Sequence, residues 1–169
     1  RRVMGEAAFQ KGIQAYLKKH SYGNARSADL WEALADAANG AGVKGPAGQP
    51  IDITKFAKQW TEQMGFPLLS FARLNDSHVR ITQSRFKVDK ENPDRAAFQE
   101  PEFGFKWDVP VFLLSGKEKM PVLWLAGDGH LDVAIPTDKK SALKLDISTE
   151  FYRADYGKEG WLAIGAELS

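Results

Sequence analysis

The sequence predicts an α+β fold in two parts, an all-helical segment followed by an antiparallel β-sandwich. Three observations predict it. Apolar residues recur every three to four positions up to about residue 66, and beyond Pro67 they alternate with polar ones in short runs. Those runs are separated by turn-forming clusters at regular spacing, among them NDS, SGKEK, GDG and PTDKK. The pattern changes inside QWTEQMGFP, residues 59–67, where Gly65 can end a helix and Pro67 cannot restart one.

In GEAAFQKGIQAYLKKH the apolar positions Phe9, Ile13, Tyr16 and Leu17 share a helical face, with Lys11, Gln14, Lys18 and Lys19 on the others. The lysines suit the negative end of the helix dipole, and Gly23 with Asn24 offers a left-handed stop. A second helix starts at Ser27, read as its cap, with Asp29 in the first turn and Leu30, Trp31, Leu34 and Ala38 on one side. Residues 39–50, NGAGVKGPAGQP, hold four glycines and two prolines and are expected to form a mobile surface loop. Asp52 caps a third helix in which Ile53, Phe56, Ala57, Trp60 and Met64 face inward.

LLSFARL, NDS and HVRITQSRF then read as strand, turn and strand. Val79 and Ile81 have one parity and Phe86 and Val88 the other, which predicts a bulge near Gln83 or Ser84. A polar loop over residues 89–102 leads to FKWDVPVFLLS, where Trp107, Val109, Val111 and Leu113 alternate and Pro110 is expected at an edge. PVLWLA, HLDVAI, ALKLDI and FYRADY supply further strands, and GWLAIGAEL begins a helix too short for a core of its own. The chain is therefore expected to be cut at both ends.

Chemistry is sparse. A chain of 169 residues holds one ordinary domain or two small ones. Its net charge of +1, with both signs spread along it, gives no case for nucleic acid or an anionic membrane surface. Without cysteine there is no disulfide, thiolate site or cysteine nucleophile. No apolar run approaches the roughly 20 residues that would cross a bilayer, so this segment is not expected to insert in a membrane. The histidines, His20, His78 and His130, lie at a helix end and two strand starts, and no H-E-x-x-H motif is present.

GDGHLD places Asp128, His130 and Asp132 together, but a tight hairpin with a solvent-facing His130 and Asp132 is the better account. Glu100 and Glu102 sit in a polar loop, where solvated charge is expected. Trp107, Phe112 and Trp124 could line a sugar-binding face, though alternating aromatics in strands are usually core. Asn75-Asp76-Ser77 satisfies the glycosylation sequon at a turn tip, a triplet that also arises by chance. No catalytic or metal-ligating residue is assigned, and substrate-binding residues are unknown.

Read together, FQKGIQAYLKKHSYGNARSADLWEAL, ITKFAKQWTEQMGFPLL, ITQSRF, KWDVPV and LDISTEFYRADYGKEGW resemble one continuous portion of the aminopeptidase N family of zinc metallopeptidases, the gluzincin aminopeptidases. The most specific pieces are Tyr22, Asn24, Asp29, Leu30, Trp31 and then Trp60, Thr61, Gln63, Gly65, Phe66, Pro67. The resemblance implies that residues 1–66 close a thermolysin-like catalytic domain, 67–157 form the β-sandwich and 158–169 open a helical domain. It further implies a parent enzyme that uses zinc to remove N-terminal amino acids from peptides, with the zinc helix, the G-x-M-E-N segment and the transition-state tyrosine all preceding this region. Neither Tyr16 nor Tyr22 belongs to that set.

Glu150 stands where the family usually has glycine, and Ala154 where valine is common. The segment itself is expected to bind no zinc, to be inactive alone, and to have helical faces through which it can self-associate. The parent is expected either in the cytoplasm or on a membrane anchor with its catalytic region outside the cell. The alternative is a stand-alone sandwich module that binds a ligand without catalysis.

Overall fold

A computed structural model describes residues 1–89, 91–135, 142–146 and 151–168. The PTDKK turn and Glu150 lie outside the described residues. Helices come first and antiparallel-rich sheets follow, which makes the chain α+β in two parts. It divides into two compact units, Arg1–Glu62 and Gln63–Ser169.

The first unit holds α1 (Glu6–Lys19), α2 (Ser27–Gly40) and α3 (Ile53–Thr61). Along α1 the acidic Glu6 lies in the first turn and Lys18 and Lys19 in the last, matching the dipole at both ends. The helix stops at His20, whose N–H bonds the Tyr16 carbonyl, and the Ser21 hydroxyl donates to the carbonyls of Leu17 and Lys18. With those carbonyls satisfied, no glycine stop is needed, and the left-handed residue is Tyr22 (φ 59) rather than Gly23 or Asn24. The buried side is Ala8 and Gly12, with Phe9, Ile13 and Tyr16 half-buried, while Leu17 turns to solvent. A Cβ on Gly12 would lie 2.8 Å from Leu34 Cδ2 and 3.2 Å from the Ala33 carbonyl, so the bare glycine sets how closely α1 approaches α2.

Ser27 is the first residue of α2 and not its cap. The Asp29 carboxylate accepts the Arg26 N–H at 2.7 Å, and an ionised acceptor satisfies that free donor better than a hydroxyl. The helix runs through Asn39 and Gly40, into the stretch expected to be loop, until Gly42 (φ 66) turns left-handed and Val43 N–H bonds Ala38 O. Residues 43–51 follow as a largely exposed loop, as expected of a surface loop, closed by the hydrogen bonds Gly45 N–H to Gln49 O and Ile51 N–H to Val43 O. Asp52 caps α3 as expected, accepting Lys55 N–H at 2.9 Å. That helix ends at Thr61, before Gly65, so Met64 leaves the apolar stripe and is 42% exposed.

The second unit contains β1 (Pro67–Arg73), β2 (His78–Arg85), β3 (Val109–Val111), β4 (Leu113–Ser115), β5 (Glu118–Lys119), β6 (Leu123–Leu125), β7 (Leu131–Ala134), β8 (Leu143–Leu145) and β9 (Arg153–Asp155), then α4 (Gly157–Glu167). One sheet has the order β7-β2-β1-β9; β3 pairs β6, and β4 lies between β5 and β8. The β1–β2 register runs unbroken from Pro67↔Arg85 to Arg73↔Val79, so the expected bulge is absent. Gln83 instead continues the buried parity of Ile81, and Phe86 lies past the strand, stacked on Phe66 at 5.1 Å.

β9 joins β1 in parallel, an exception to the antiparallel expectation. FKWDVPVFLLS divides at Phe112 between two sheets, and residues 109–113 are buried on both parities. Pro110 lies opposite Trp124 in a two-stranded sheet, which has only edge strands. Leu69, Ile81, Trp107, Val109, Val111 and Leu125 are fully buried and form the centre of this unit. None of the helices among the described residues is long and apolar enough to cross a membrane.

Candidate functional site

The residues that could have carried chemistry do not converge. His20 ends α1 with Nε2 4.0 Å from Asp29 Oδ1, while His78 opens β2 and His130 precedes β7 in the other unit. Asp132 is engaged by Arg80 across the β2–β7 pair, with Nε to Oδ1 and Nη2 to Oδ2 both at 2.7 Å. That hydrogen-bonded guanidinium holds the Asp132 carboxyl below the usual carboxylate range against the desolvation that would raise it. His130 Nε2 lies 3.8 Å from the same carboxylate and Asp128 is exposed in the turn.

Gly129 N–H bonds Ala126 O, so GDG does make a tight turn, but it passes from β6 in one sheet to β7 in another and is not the expected hairpin. Among the described residues no group of three or more His, Cys, Asp or Glu could hold a metal ion. Glu100 and Glu102 are exposed. Trp107 and Phe112 are buried and Trp124 is half-buried, so these aromatics form packing and present no open sugar face. Tyr16 is half-buried 5.4 Å from the His20 ring, and Tyr22 is fully exposed. A cleft of about 230 Å³ under α4 is lined mainly by apolar groups, including Phe71, Val79, Leu143 and Ala163. The one phenol facing it, Tyr156, uses its oxygen to accept Leu145 N–H at 2.8 Å.

What the sequence reading missed is a set of buried and part-buried polar clamps. Gln63 accepts Phe105 N–H at 3.0 Å and donates to Lys106 O at 2.8 Å. Gln83 accepts Trp107 N–H at 3.1 Å and donates to Trp107 O at 2.7 Å. Two primary amides thus hold three successive backbone residues, 105–107, each using its carbonyl oxygen as acceptor and its NH2 as donor. The Tyr152 hydroxyl accepts Phe112 N–H and donates to Pro110 O, which fixes the point where the long strand divides. Glu167 accepts Ala142 N–H and pairs with Lys144, tying α4 to β8; the Lys144 hydrogen bond, then the Ala142 N–H, lowers its carboxyl below the usual range.

Gly65 belongs to the same region. It has φ +91, and any Cβ there would meet Arg85 Nε at 2.9 Å. Arg85 in turn pairs with Asp94 and lies 3.9 Å over the Phe105 ring. The signal available in the sequence was that Gln63, Gly65, Phe66, Gln83, Trp107 and Tyr152 all stand inside the stretches that carry the family resemblance. Those stretches mark joints of the fold.

A model of the Peptidase family M1 domain matches residues 1–60. The chain is 35% identical over 170 residues to aminopeptidase N of Haemonchus contortus, covering 99% of this chain and 17% of that protein. It is 32% identical over 165 residues to glutamyl aminopeptidase of Bos taurus, covering 95% and 15%. With the thyrotropin-releasing hormone-degrading ectoenzyme of Homo sapiens it shares 28% identity over 172 residues, 98% of this chain and 15% of that one. The chain thus spans only about a sixth of the length of these curated relatives.

Proposed function

Since this chain belongs to the aminopeptidase N family of M1 peptidases, we propose that it is the architectural middle of a zinc-dependent aminopeptidase that removes N-terminal amino acids from peptides. The observation that carries this reading is the extent of the match: relatives named as aminopeptidases align along 93–99% of the chain without a break in order. In this reading residues 1–66 close the catalytic domain, 67–157 form a β-sandwich, and 158–169 open the helical domain.

The described residues do not fit a zinc site. The three histidines are divided between two units, and Asp132 already has a guanidinium partner. In this reading zinc and the groups that work with it lie elsewhere in the parent, as the family resemblance implies, and no reaction step is assigned to this chain. Its work is structural, carried by the clamps at residues 105–107 and at Phe112, which hold the sheets, and by Glu167, which fixes the first turns of whatever helical structure continues from α4. The buried state of Trp107 and Phe112 disfavours the alternative of a stand-alone aromatic binding face.

The test compares two proteins. The full-length gene product is expected to contain zinc, to cleave aminoacyl-arylamides and to lose that activity to a chelator. Residues 1–169 alone are expected to do none of these. Chelator-sensitive turnover by the pure segment, or a full-length product without aminopeptidase activity, would overturn the proposal.

A further inference from the structure

We propose that Asn75 is an N-glycan attachment site, independently of the enzymatic reading above. The sequon Asn75-Asp76-Ser77 forms the tip of the β1–β2 connection, where all three residues are exposed and the Asp76 side chain is fully open to solvent. The common structural explanation for an asparagine in such a turn is that it caps the turn. Asn75 does so with one atom only. Its Oδ1 accepts Ser77 N–H, His78 N–H and the Ser77 hydroxyl, each at 2.9 Å. Two of those donors are backbone N–H groups, which cannot accept, so the assignment of oxygen and nitrogen in this amide is forced. The nitrogen is left with no hydrogen bond among the described residues.

That division of labour is what a glycosylated turn requires. A glycan on Nδ2 leaves every bond made by Oδ1 in place, so the native turn tolerates it. With His78 Nδ1, 2.8 Å from the Ser77 hydroxyl oxygen, carrying its proton, the Ser77 hydroxyl donates to the amide oxygen and stabilises the negative charge that develops there as Nδ2 loses its proton. In the transfer, Nδ2 attacks the anomeric carbon of a lipid-diphosphate-linked oligosaccharide. The N–C bond forms as the C–O bond to phosphate breaks, the amide proton passes to base, and the lipid diphosphate leaves. By contrast, Asn24, Asn39 and Asn92 are not followed two residues later by Ser or Thr.

Trypsin cuts after Arg73 and Arg80, which isolates the sequon on the peptide Leu74–Arg80. The full-length gene product, expressed in insect cells from its own start codon, would be treated with peptide-N-glycosidase in heavy-oxygen water. Most copies of that peptide are expected to carry labelled aspartate at position 75. Ser77→Thr should retain the label and Ser77→Ala should abolish it; because both keep Asn75, a misfolded Asn75→Gln variant cannot confuse the result. Recovery of the peptide unlabelled, whether from secreted protein or because the product never enters the secretory pathway, overturns the proposal. Arylamidase activity measured on the same material reports separately on the proposed enzyme.

Discussion

At Gln83 a primary amide stands where alternation along β2 would place an apolar side chain, and two hydrogen bonds to the Trp107 backbone make that burial tolerable. Replacing it with leucine keeps the volume and removes both bonds from buried backbone groups. Each such loss costs about 1–3 kcal/mol, so Gln83→Leu is expected to lower stability by roughly 2–6 kcal/mol in urea titrations followed by tryptophan fluorescence. Gln63→Leu should cost less, because its pairs with Phe105 and Lys106 are only partly buried; a neutral Gln83→Leu would refute the clamp. This residue also explains the failed bulge. A glutamine read in a local window looks like a solvent-facing residue, and the partner that makes it a core residue lies 24 positions away.

The carboxylates give a second residue-scale prediction. Hydrogen bonds from Arg85 to Asp94, from Arg80 to Asp132 and from Lys144 to Glu167 each lower the carboxyl below its ordinary value. A folded value below the unfolded one means stability that is fully present above the unfolded value, roughly 3.9 for Asp and 4.3 for Glu. It is lost as pH falls through the lower folded values. Stability should therefore hold steady between pH 7 and about 5 and decline below about 4. Glu167→Gln should reduce the steepness of that acid limb, and an unchanged limb would remove Glu167 from the account.

Among the elements, the pairing of α1 with α2 turns on Gly12. A methyl group there would press on Leu34 and on the Ala33 carbonyl, and the latter is backbone that cannot swing aside. Overpacking of this kind costs typically about 1–3 kcal/mol, against a gain in helix propensity of at most about 1 kcal/mol. Gly12→Ala should thus be a net destabilisation, whereas Gly40→Ala, near the end of α2 with nothing within 4 Å, should be neutral or slightly stabilising. Circular dichroism through a denaturant series separates the two; equal effects would mean that Gly12 is not a contact glycine. Helix existence was legible because period and the Asp52 cap are local signals. The stops were not, since hydroxyls and carboxylates such as Ser21 and Asp29 took over roles that glycine or a serine cap commonly fills.

For the whole molecule, the helix-to-sheet change at Pro67 was legible because the hydrophobic period itself changes there. Strand order was not: the parallel β1–β9 pair joins residues more than 80 positions apart, and nothing in the alternation of FYRADY specifies its partner. The same contrast between local and long-range organisation sets the last prediction. The helical unit buries four alanines, Ala8, Ala37, Ala38 and Ala57, beside Met4, Leu34, Ile51 and Ile53, while the sheet unit fully buries Trp107, Leu69, Ile81, Leu113 and Leu125. A buried large aliphatic or aromatic side chain contributes about 1.5–3 kcal/mol and a methyl group about 0.8, so the two units draw on unequal hydrophobic stabilisation. In the isolated segment, amides of β1, β2, β3 and β6 should show the slowest hydrogen exchange, and those of α1–α3 should open at lower free energy. If the helical unit is built to pack against further catalytic-domain structure, its protection should rise in the full-length protein while that of the sheet core changes little. Leu17, Trp161 and Leu162 are exposed, so exchange is measured over a dilution series with the mass followed by sedimentation to separate protection within one copy from protection by another. Uniform protection of both units in a strictly monomeric sample would show that the helices need no further structure to be stable, and would count against their origin as the edge of a larger domain.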